Sequence, residues 1–199
     1  MPIEVALALR QRRVAALQAG FEAHRIADRP LTLEVGCGHG HFLTAYAAAH
    51  PGESCVGVDL LRERLERAAK KSARLRLDNI WWIKGDANEV LAGWPQNLRI
   101  TRNIFILFPD PWPKRRHWKN RLIQQEFLSQ LAQRAAPGAT LCFRTDHPPY
   151  FAEAQAKIRD HPEWELREAT AWPYEEVTVF QSRAPRFESL VATRRLPPD

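Results

Sequence analysis

The chain has 199 residues, of which 45% are hydrophobic and 26% are charged, as in an ordinary globular protein. No apolar run approaches the length of a membrane span. The three cysteines form no Cys-x-x-Cys pair, which argues against a disulfide framework and against a zinc ribbon. We therefore expect one cytoplasmic domain over residues 1–199, with no membrane partner.

The formal net charge is +6, and the cations are clustered along the sequence. Residues 114–121 carry five Lys or Arg and no acid, and residues 62–76 carry seven against two Glu. Clustered positive charge favours a polyanionic partner such as RNA. For residues 62–76, a solvated helix face is the commoner interpretation.

The hydrophobic pattern predicts elements in a regular order. The apolar residues of 3–21 recur at helical spacing and predict an amphipathic leading helix, with residues 1–30 as a lead-in. The predicted strands are 31–36, 54–59, 80–86, 103–108, 140–146, 164–170 and 188–195. The predicted helices between them are 42–50, 61–76, 87–92, 121–136 and 149–161.

Strands alternate with helices from residue 31 onward, and this order predicts an α/β fold. We expect a doubly wound, mostly parallel, seven-stranded sheet over 31–195, with helices on both faces. The fourth strand, NIFILF, is apolar without alternation, as expected of a central strand that is buried on both sides.

A glycine-rich segment, EVGCGHG at 34–40, joins the first strand to the first core helix. Gly36, Gly38 and Gly40 would let the backbone turn tightly and approach a ligand. The spacing is GxGxG, whereas pyrophosphate-binding loops have GxGxxG. This spacing argues against a nicotinamide enzyme, and the alternative stays open until cofactor binding is measured.

Acidic residues stand near the ends of three neighbouring strands. Glu34 precedes the glycines, Asp59 ends the second strand, and Asp86 follows the third. These acids suit an adenosine that carries a cationic amino-acid arm, which describes S-adenosylmethionine. The alternative is that they cap the following helices. Cys37, His39 and His41 alternate on the loop, but no carboxylate completes a metal-ligand set, so we expect no metal.

The segment FPDPWPKRRHWKNR at 108–121 places Asp110 between two prolines after the fourth strand, followed by Trp112 and a basic run. A rigid turn with a solvated acid is the simplest interpretation. It accounts neither for the basic run nor for the position at a strand's carboxyl end. A short acidic–proline–aromatic motif also fits the adenine and cytosine amino-methyltransferases. Their motif, however, is commonly Asn/Asp-Pro-Pro-aromatic, whereas this chain has Asp-Pro-Trp.

This segment resembles the signature of the bacterial tRNA (guanine-N7)-methyltransferases. EVGCGHG, RTDHPPY at 144–150 and TVFQ at 178–181 resemble further motifs of that family, so the resemblance spans residues 31–195. It implies a Rossmann-like class I methyltransferase that uses S-adenosylmethionine. It also implies that the substrate is the variable-loop guanosine at tRNA position 46.

The resemblance assigns roles to residues by position. It implies that Asp110 is the active-site residue. The implied cofactor contacts are Glu34, Gly36, Gly38, Gly40, Asp59, Asp86 and Asp110. The implied substrate contacts are Lys114, Arg116, His117, Lys119, Arg121, Asp146, Thr178 and Gln181.

The chain departs from the family pattern at three individual positions. Asp59 and Gln181 stand where the family usually has Glu, and Asn120 interrupts the basic run. Three alternatives to the tRNA enzyme remain open: a methyltransferase acting on another RNA or a protein, a non-catalytic RNA-binding protein, and the nicotinamide enzyme. We expect tRNA as the partner and a monomer as the oligomeric state.

Overall fold

The computed structural model describes residues 2–23, 29–168, 170–177, 181, 182 and 186–196. The strands in these ranges are Leu31–Val35 (β1), Ser54–Asp59 (β2), Ile80–Lys84 (β3), Asn103–Leu107 (β4), Thr140–Thr145 (β5), Trp164–Leu166 (β6) and Glu188–Arg194 (β7). The helices are Ile3–Ala23 (α1), His41–Ala49 (α2), Arg62–Arg74 (α3), Ala87–Gly93 (α4), Gln125–Arg134 (α5) and Pro148–Arg159 (α6), with a 3₁₀ helix at Arg115–Asn120.

The seven strands of the described ranges form one sheet in the order β3-β2-β1-β4-β5-β7-β6. β1 to β5 pair in parallel, and β7 runs antiparallel to both of its neighbours, β5 and β6. The order of the strands reverses between β1 and β4, so the chain winds outward in both directions from this point. The predicted doubly wound, mostly parallel sheet is confirmed.

Apolar side chains cover both faces of the sheet, as two hydrophobic clusters. One cluster joins the sheet to α1, α4, α5 and α6. The other joins it to α2 and to partly buried rings of the segment 172–174. Leu33 and Val35 of β1 belong to the first cluster and Phe105 of β4 to the second. Because β4 is buried on both faces, its centre is an unbroken apolar run, whereas β1 is equally buried but includes Thr32 and Glu34.

The leading helix α1 packs against the core only with its second half. Phe21 is 4% exposed, and its ring centre lies 4.9 Å from that of Trp81 and 4.8 Å from that of Trp94. Ile3 and Leu7 are exposed, which is contrary to their predicted place on a buried face. None of the described helices combines the length and the apolarity that a membrane span requires.

The predicted helix 121–136 begins only at Gln125, because tertiary hydrogen bonds replace its first turn. The backbone N–H of Ile123 donates to the Tyr150 hydroxyl, and the Gln124 amide donates to the carbonyls of Trp118 and Arg121. The sequence pattern missed the 3₁₀ helix at 115–120. The strand predicted at 164–170 ends at Leu166.

Candidate active site at the carboxyl edge of the sheet

The parallel register brings the ends of the first five strands to one edge of the sheet. Val35 pairs with Val58 and Ile106, and Leu107 pairs with Arg144. The segments that follow these strands therefore leave the same edge. Since the chain diverges between β1 and β4, the glycine loop and the segment carrying Asp110 border a crevice at this point, where α/β sheets bind their ligands.

The glycine loop has a backbone conformation that L side chains rarely adopt. Gly36, Gly38 and Gly40 have φ of 77°, 54° and 67°. A Cβ on Gly40 would lie 2.5 Å from the Trp82 ring, so this glycine lets the loop pack against β3. A Cβ on Gly36 or Gly38 would meet nothing within 4 Å, which leaves open space in front of these two residues.

Asp59 fixes the glycine loop to the start of α3. Its carboxylate accepts hydrogen bonds from the backbone N–H groups of Gly38 and Leu61, both at 2.9 Å. Asp86 caps α4 by accepting from Asn88 and Glu89 through Oδ1. Asp86 therefore acts as the cap that the alternative interpretation predicted, whereas Asp59 does not cap α3, whose N-cap residue is Leu61. A carboxylate has about four acceptor sites, so these bonds leave room for a ligand contact.

Glu34 is a buried acid whose second oxygen has no partner. Oε2 makes no hydrogen bond, and the side chain lies under the N-terminal turn of α2. Burial raises the pKa of Glu34 to about 8, and the Asp59 charge adds to this, against a hydrogen bond from the Leu43 backbone N–H. A buried carboxyl with an unused acceptor beside the glycine loop fits a ligand that brings a positive charge.

Cys37, His39 and His41 alternate along the glycine loop and its junction with α2, and the absence of a metal there stays a prediction. Cys37 is buried, and its desolvation raises the pKa of the thiol, which opposes the thiolate that a metal needs. Within the described ranges, no three His, Cys, Asp or Glu side chains come together in a way that could hold a metal ion.

Asp110 lies on a turn with unusual backbone angles on both sides. Phe108 has φ of 49° and Trp112 has φ of 44°, values that are rare for bulky residues. Left-handed conformations of this kind cost about 1–3 kcal/mol each, and they persist where the surroundings impose them. The Asp110 side chain is exposed and makes no salt bridge with a described residue. The backbone around Asp110 is thus constrained, while the carboxylate itself is exposed.

Arg121 corrects our expectation of an RNA contact, because it is 1% exposed and acts inside the protein. Its Nε donates to the Pro111 carbonyl at 2.8 Å, and its Nη1 pairs with Glu153 of α6. The guanidinium lies 4.3 Å from the centre of the Trp118 ring. Arg121 thus ties the Asp110 turn to α6, and we remove it from the predicted RNA-binding set.

The other cations of the run remain at the surface. Lys114, Arg116 and Lys119 are exposed, and His117 is half-buried against Trp112, with ring centres 5.8 Å apart. Arg116 Nε lies 3.2 Å from His117 Nε2. The 3₁₀ helix therefore presents a cationic surface beside Asp110 without a nearby ion pair among the described residues.

Arg144, which sequence reasoning missed as a functional candidate, joins a distant segment to the site. This side chain of β5 is buried, and it donates to both Glu175 carboxylate oxygens, at 3.0 and 2.7 Å. It also donates to Gln181 Oε1 at 3.3 Å, and its guanidinium lies 4.1 Å from the centre of the Trp172 ring. The sequence did offer one indication of this role, because Arg144 is the only charged residue of the otherwise uncharged strand TLCFRT.

Gln181 therefore lies beside Arg144 at the end of β5, and Thr178 falls outside the described residues.

Asp146 follows β5 and is exposed. The next residue, His147, caps α6 by accepting from the Tyr150 backbone N–H through Nδ1. Asp146 thus has no capping role, and its position leaves it free to face a substrate.

The fold and the glycine loop define a class I methyltransferase. A family model described as "Putative methyltransferase" matches residues 28–194. The solved structure of a SAM-dependent methyltransferase from Aquifex aeolicus superposes with a TM-score of 0.57 over 89% of each chain, at 16% sequence identity.

Two curated relatives define the family more closely. The tRNA (guanine-N7)-methyltransferase of Chloroflexus aurantiacus is 35% identical over 155 residues, which cover 78% of this chain and 67% of that protein. The enzyme of the same name from Treponema pallidum is 36% identical over 160 residues, covering 79% and 63%. The match spans about two thirds of the length of these relatives. The chain belongs to the tRNA (guanine-N7)-methyltransferase family, which confirms the resemblance seen in the sequence.

Removal of the Arg121 guanidinium should destabilise the protein. We expect Arg121→Ala to lower the free energy of unfolding by about 3 kcal/mol, because it breaks a largely buried ion pair and frees the Pro111 carbonyl. Urea unfolding measures this change. The exposed Arg116→Ala is the control and should change stability by less than about 0.5 kcal/mol. Equal effects of the two substitutions would contradict the anchoring role.

The raised pKa of Glu34 should make stability depend on pH. Between the ordinary value of 4.5 and about 8, the folded protein holds a proton that the unfolded chain has released, so the free energy of unfolding should fall as the pH rises through this window. The loss is at most about 5 kcal/mol, and Glu34→Gln should abolish it.

Urea unfolding at pH 5, 7 and 9 tests the expectation for Glu34. Glu66→Gln, at an exposed position of α3, should keep the wild-type dependence. Parallel pH profiles for the wild type and Glu34→Gln would rule out a proton on Glu34 in the folded protein.

Proposed function

We propose that this chain transfers the methyl group of S-adenosylmethionine to N7 of a guanine in tRNA. The proposal is supported by membership of a family whose curated relatives carry this activity in their name. The observation that carries it is an exposed carboxylate on a strained, anchored turn, with a cationic surface on one side and an open glycine loop across the crevice. A monomer and a cytoplasmic location stay predictions.

The residues of the crevice fit S-adenosylmethionine, which when bound supplies a methyl group on a positively charged sulfonium. The open space before Gly36 and Gly38 admits a ligand close to the backbone. Glu34 offers an unused acceptor to a positive group, and Asp59 holds the loop in place. Asp86 uses Oδ1 for its cap and presents Oδ2 at the same edge of the sheet.

The chemistry at guanine N7 does not require a general base. N7 carries a free lone pair at neutral pH, so no proton has to leave it before methyl transfer. Asp110 is therefore assigned a role in orientation: it accepts hydrogen bonds from guanine N1–H and N2–H, and it stabilises the positive charge that develops on the base. Orientation of reacting groups can contribute roughly 7–11 kcal/mol to the rate in favourable cases.

The exposed cations of the 3₁₀ helix would hold the RNA backbone. The target base must leave its stack at a cost of a few kcal/mol, and phosphate contacts from Lys114, Arg116 and Lys119 offset this cost. Trp112, 37% exposed, is the better candidate for stacking on a base. The Trp118 ring is already in contact with the Arg121 guanidinium.

Identification of the methylated nucleoside tests the proposal directly. Purified protein is incubated with methyl-labelled S-adenosylmethionine and unmodified tRNA, and the tRNA is digested to nucleosides. We expect the label in 7-methylguanosine. Label in another nucleoside would contradict the guanine geometry. A lack of label with tight tRNA binding would favour a non-catalytic RNA-binding protein.

Asp110→Ala should abolish methyl transfer and leave tRNA binding nearly intact, because the carboxylate orients one base while the cations bind the backbone. We expect a loss of at least about 100-fold in kcat, comparable to the loss of one group that stabilises transition-state charge. Single-turnover kinetics and tRNA affinity are measured together. Asp78→Ala, an exposed acid that follows α3, is the control. A parallel loss of affinity would argue against this division of roles.

A further inference from the structure

A second cationic surface lies away from the Asp110 turn, in a groove between the glycine loop and α3. The groove has a volume of about 340 Å³, and its lining side chains are all basic or imidazole groups. They are His39, His41, Arg67, Lys70, Lys71 and Arg74.

The cations of this groove are not neutralised by the acids of their own helix. Glu63 and Glu66 precede Arg67 and Lys70 by four residues, a spacing that favours ion pairs on a helix. Yet no salt bridge joins them among the described residues. Arg74, at the last turn, also lacks an acidic partner there. The helix therefore directs unpaired positive charge into the groove.

Both histidines of the groove have a pKa below the ordinary value. Partial burial and then the cations Arg67, Lys71 and Arg64 lower the pKa of His39, while Asp59 raises it. Burial, Lys71 and His39 lower the pKa of His41, which Glu176 raises. The balance in both cases is a lowered pKa, caused first by burial and then by the neighbouring cations.

The groove is joined to the glycine loop by direct contacts. Lys71 Nζ donates to the His39 carbonyl at 2.8 Å, and Arg67 Nη1 lies 3.4 Å from His39 Nε2. Arginine can only donate, so the imidazole nitrogen is the acceptor. The loop that borders the candidate active site thus forms one wall of the groove, and α3 forms the other.

We propose that this groove binds consecutive phosphates of the tRNA backbone, as a second contact beside the run Lys114–Lys119. The proposal rests on the proposed function. Arg67 and Arg74 are seven residues apart, about 10 Å along the helix axis, which is more than one phosphate group spans. This length favours a polynucleotide backbone over a small anion. The groove also adjoins the loop after β1, and β1 pairs with β4, the strand that precedes the segment carrying Asp110.

The salt dependence of tRNA binding tests the groove. The variant Lys70→Gln/Arg74→Gln removes two exposed cations, and it spares Lys71, which supports the loop. Fluorescence anisotropy with unmodified tRNA is measured from about 50 to 300 mM salt. We expect weaker binding and a slope of log K against log[salt] that is shallower by about 1–2, as for two lost phosphate contacts.

Matched variants separate a local contact from the overall charge. Arg99→Gln/Arg159→Gln removes two exposed cations before β4 and at the end of α6, and it should keep the wild-type slope. Lys114→Gln/Arg116→Gln should flatten the slope, as the groove variant does.

The affinity of the groove variant for S-adenosylmethionine, measured by calorimetry, should equal that of the wild type. This result would show that the fold and the glycine loop of the variant are intact.

Two outcomes would overturn the inference. A groove variant whose slope equals that of Arg99→Gln/Arg159→Gln would show that its cations do not touch RNA, even if the wild type methylates tRNA. If inorganic phosphate shifted the imidazole NMR signals of His39 and His41 while this slope stayed unchanged, the groove would be a small-anion site. The methylation assay on the wild type decides the proposed function separately.

Discussion

The reversal of strand order between β1 and β4 is the constraint on which the site depends. A right-handed crossover carries the chain from β1 toward β3 on one side, and the chain then returns to lay β4 on the other side of β1. The segments after these two neighbouring strands must therefore diverge. Their divergence opens the crevice, and the residues that directly follow β1 and β4 line it.

Two buried arginines hold the segment after β4 and its neighbours in place. Arg121 fixes the Pro111 carbonyl and pairs with Glu153, while Arg144 holds Glu175 and lies on Trp172. A planar guanidinium can donate to several acceptors and stack on a ring at once, which a lysine ammonium cannot do. These contacts show how a turn with two left-handed bulky residues persists. Of the two ion pairs, Arg121–Glu153 is largely buried and acts directly on this segment through Pro111, while Glu175 is mostly exposed.

The same arrangement gives a physical account of Gln181. Arg144 already has a full carboxylate partner in Glu175, whose pKa this hydrogen bond lowers. The neutral Gln181 amide accepts a further hydrogen bond from Arg144 without adding a second negative charge. In this chain, then, an acid at position 181 is not needed to balance the buried cation. The departure from the family pattern is compatible with an intact site.

The sequence predicted those parts of the site that follow from local chemistry. Glycines after an apolar strand mark a tight turn open to a ligand, and acids near strand ends mark caps or ligand contacts. The structure has the tight, open turn at Gly36 and Gly38, while the cofactor contacts of these residues and of Asp59 stay predictions. Arg121 was placed wrongly because its neighbours in the sequence are exposed cations. Its burial depends on Glu153 and Tyr150, which are distant in the chain. The same reason hid Arg144 and the late start of α5, since tertiary hydrogen bonds decide both.

The charges of the described surface are separated by sign around the crevice. Asp110 is exposed without a cationic partner among the described residues, and the buried Glu34, whose pKa is raised to about 8, keeps an unused acceptor. The cations at 114–119 and 67–74 have no acidic partner in the described part of the chain. Among the described residues these groups do not neutralise one another, and this leaves them available to a ligand. The acidic residues of the crevice suit ligand groups that carry or develop a positive charge, such as a sulfonium and a methylated base. Cations outside suit the phosphates that bring that base to the site.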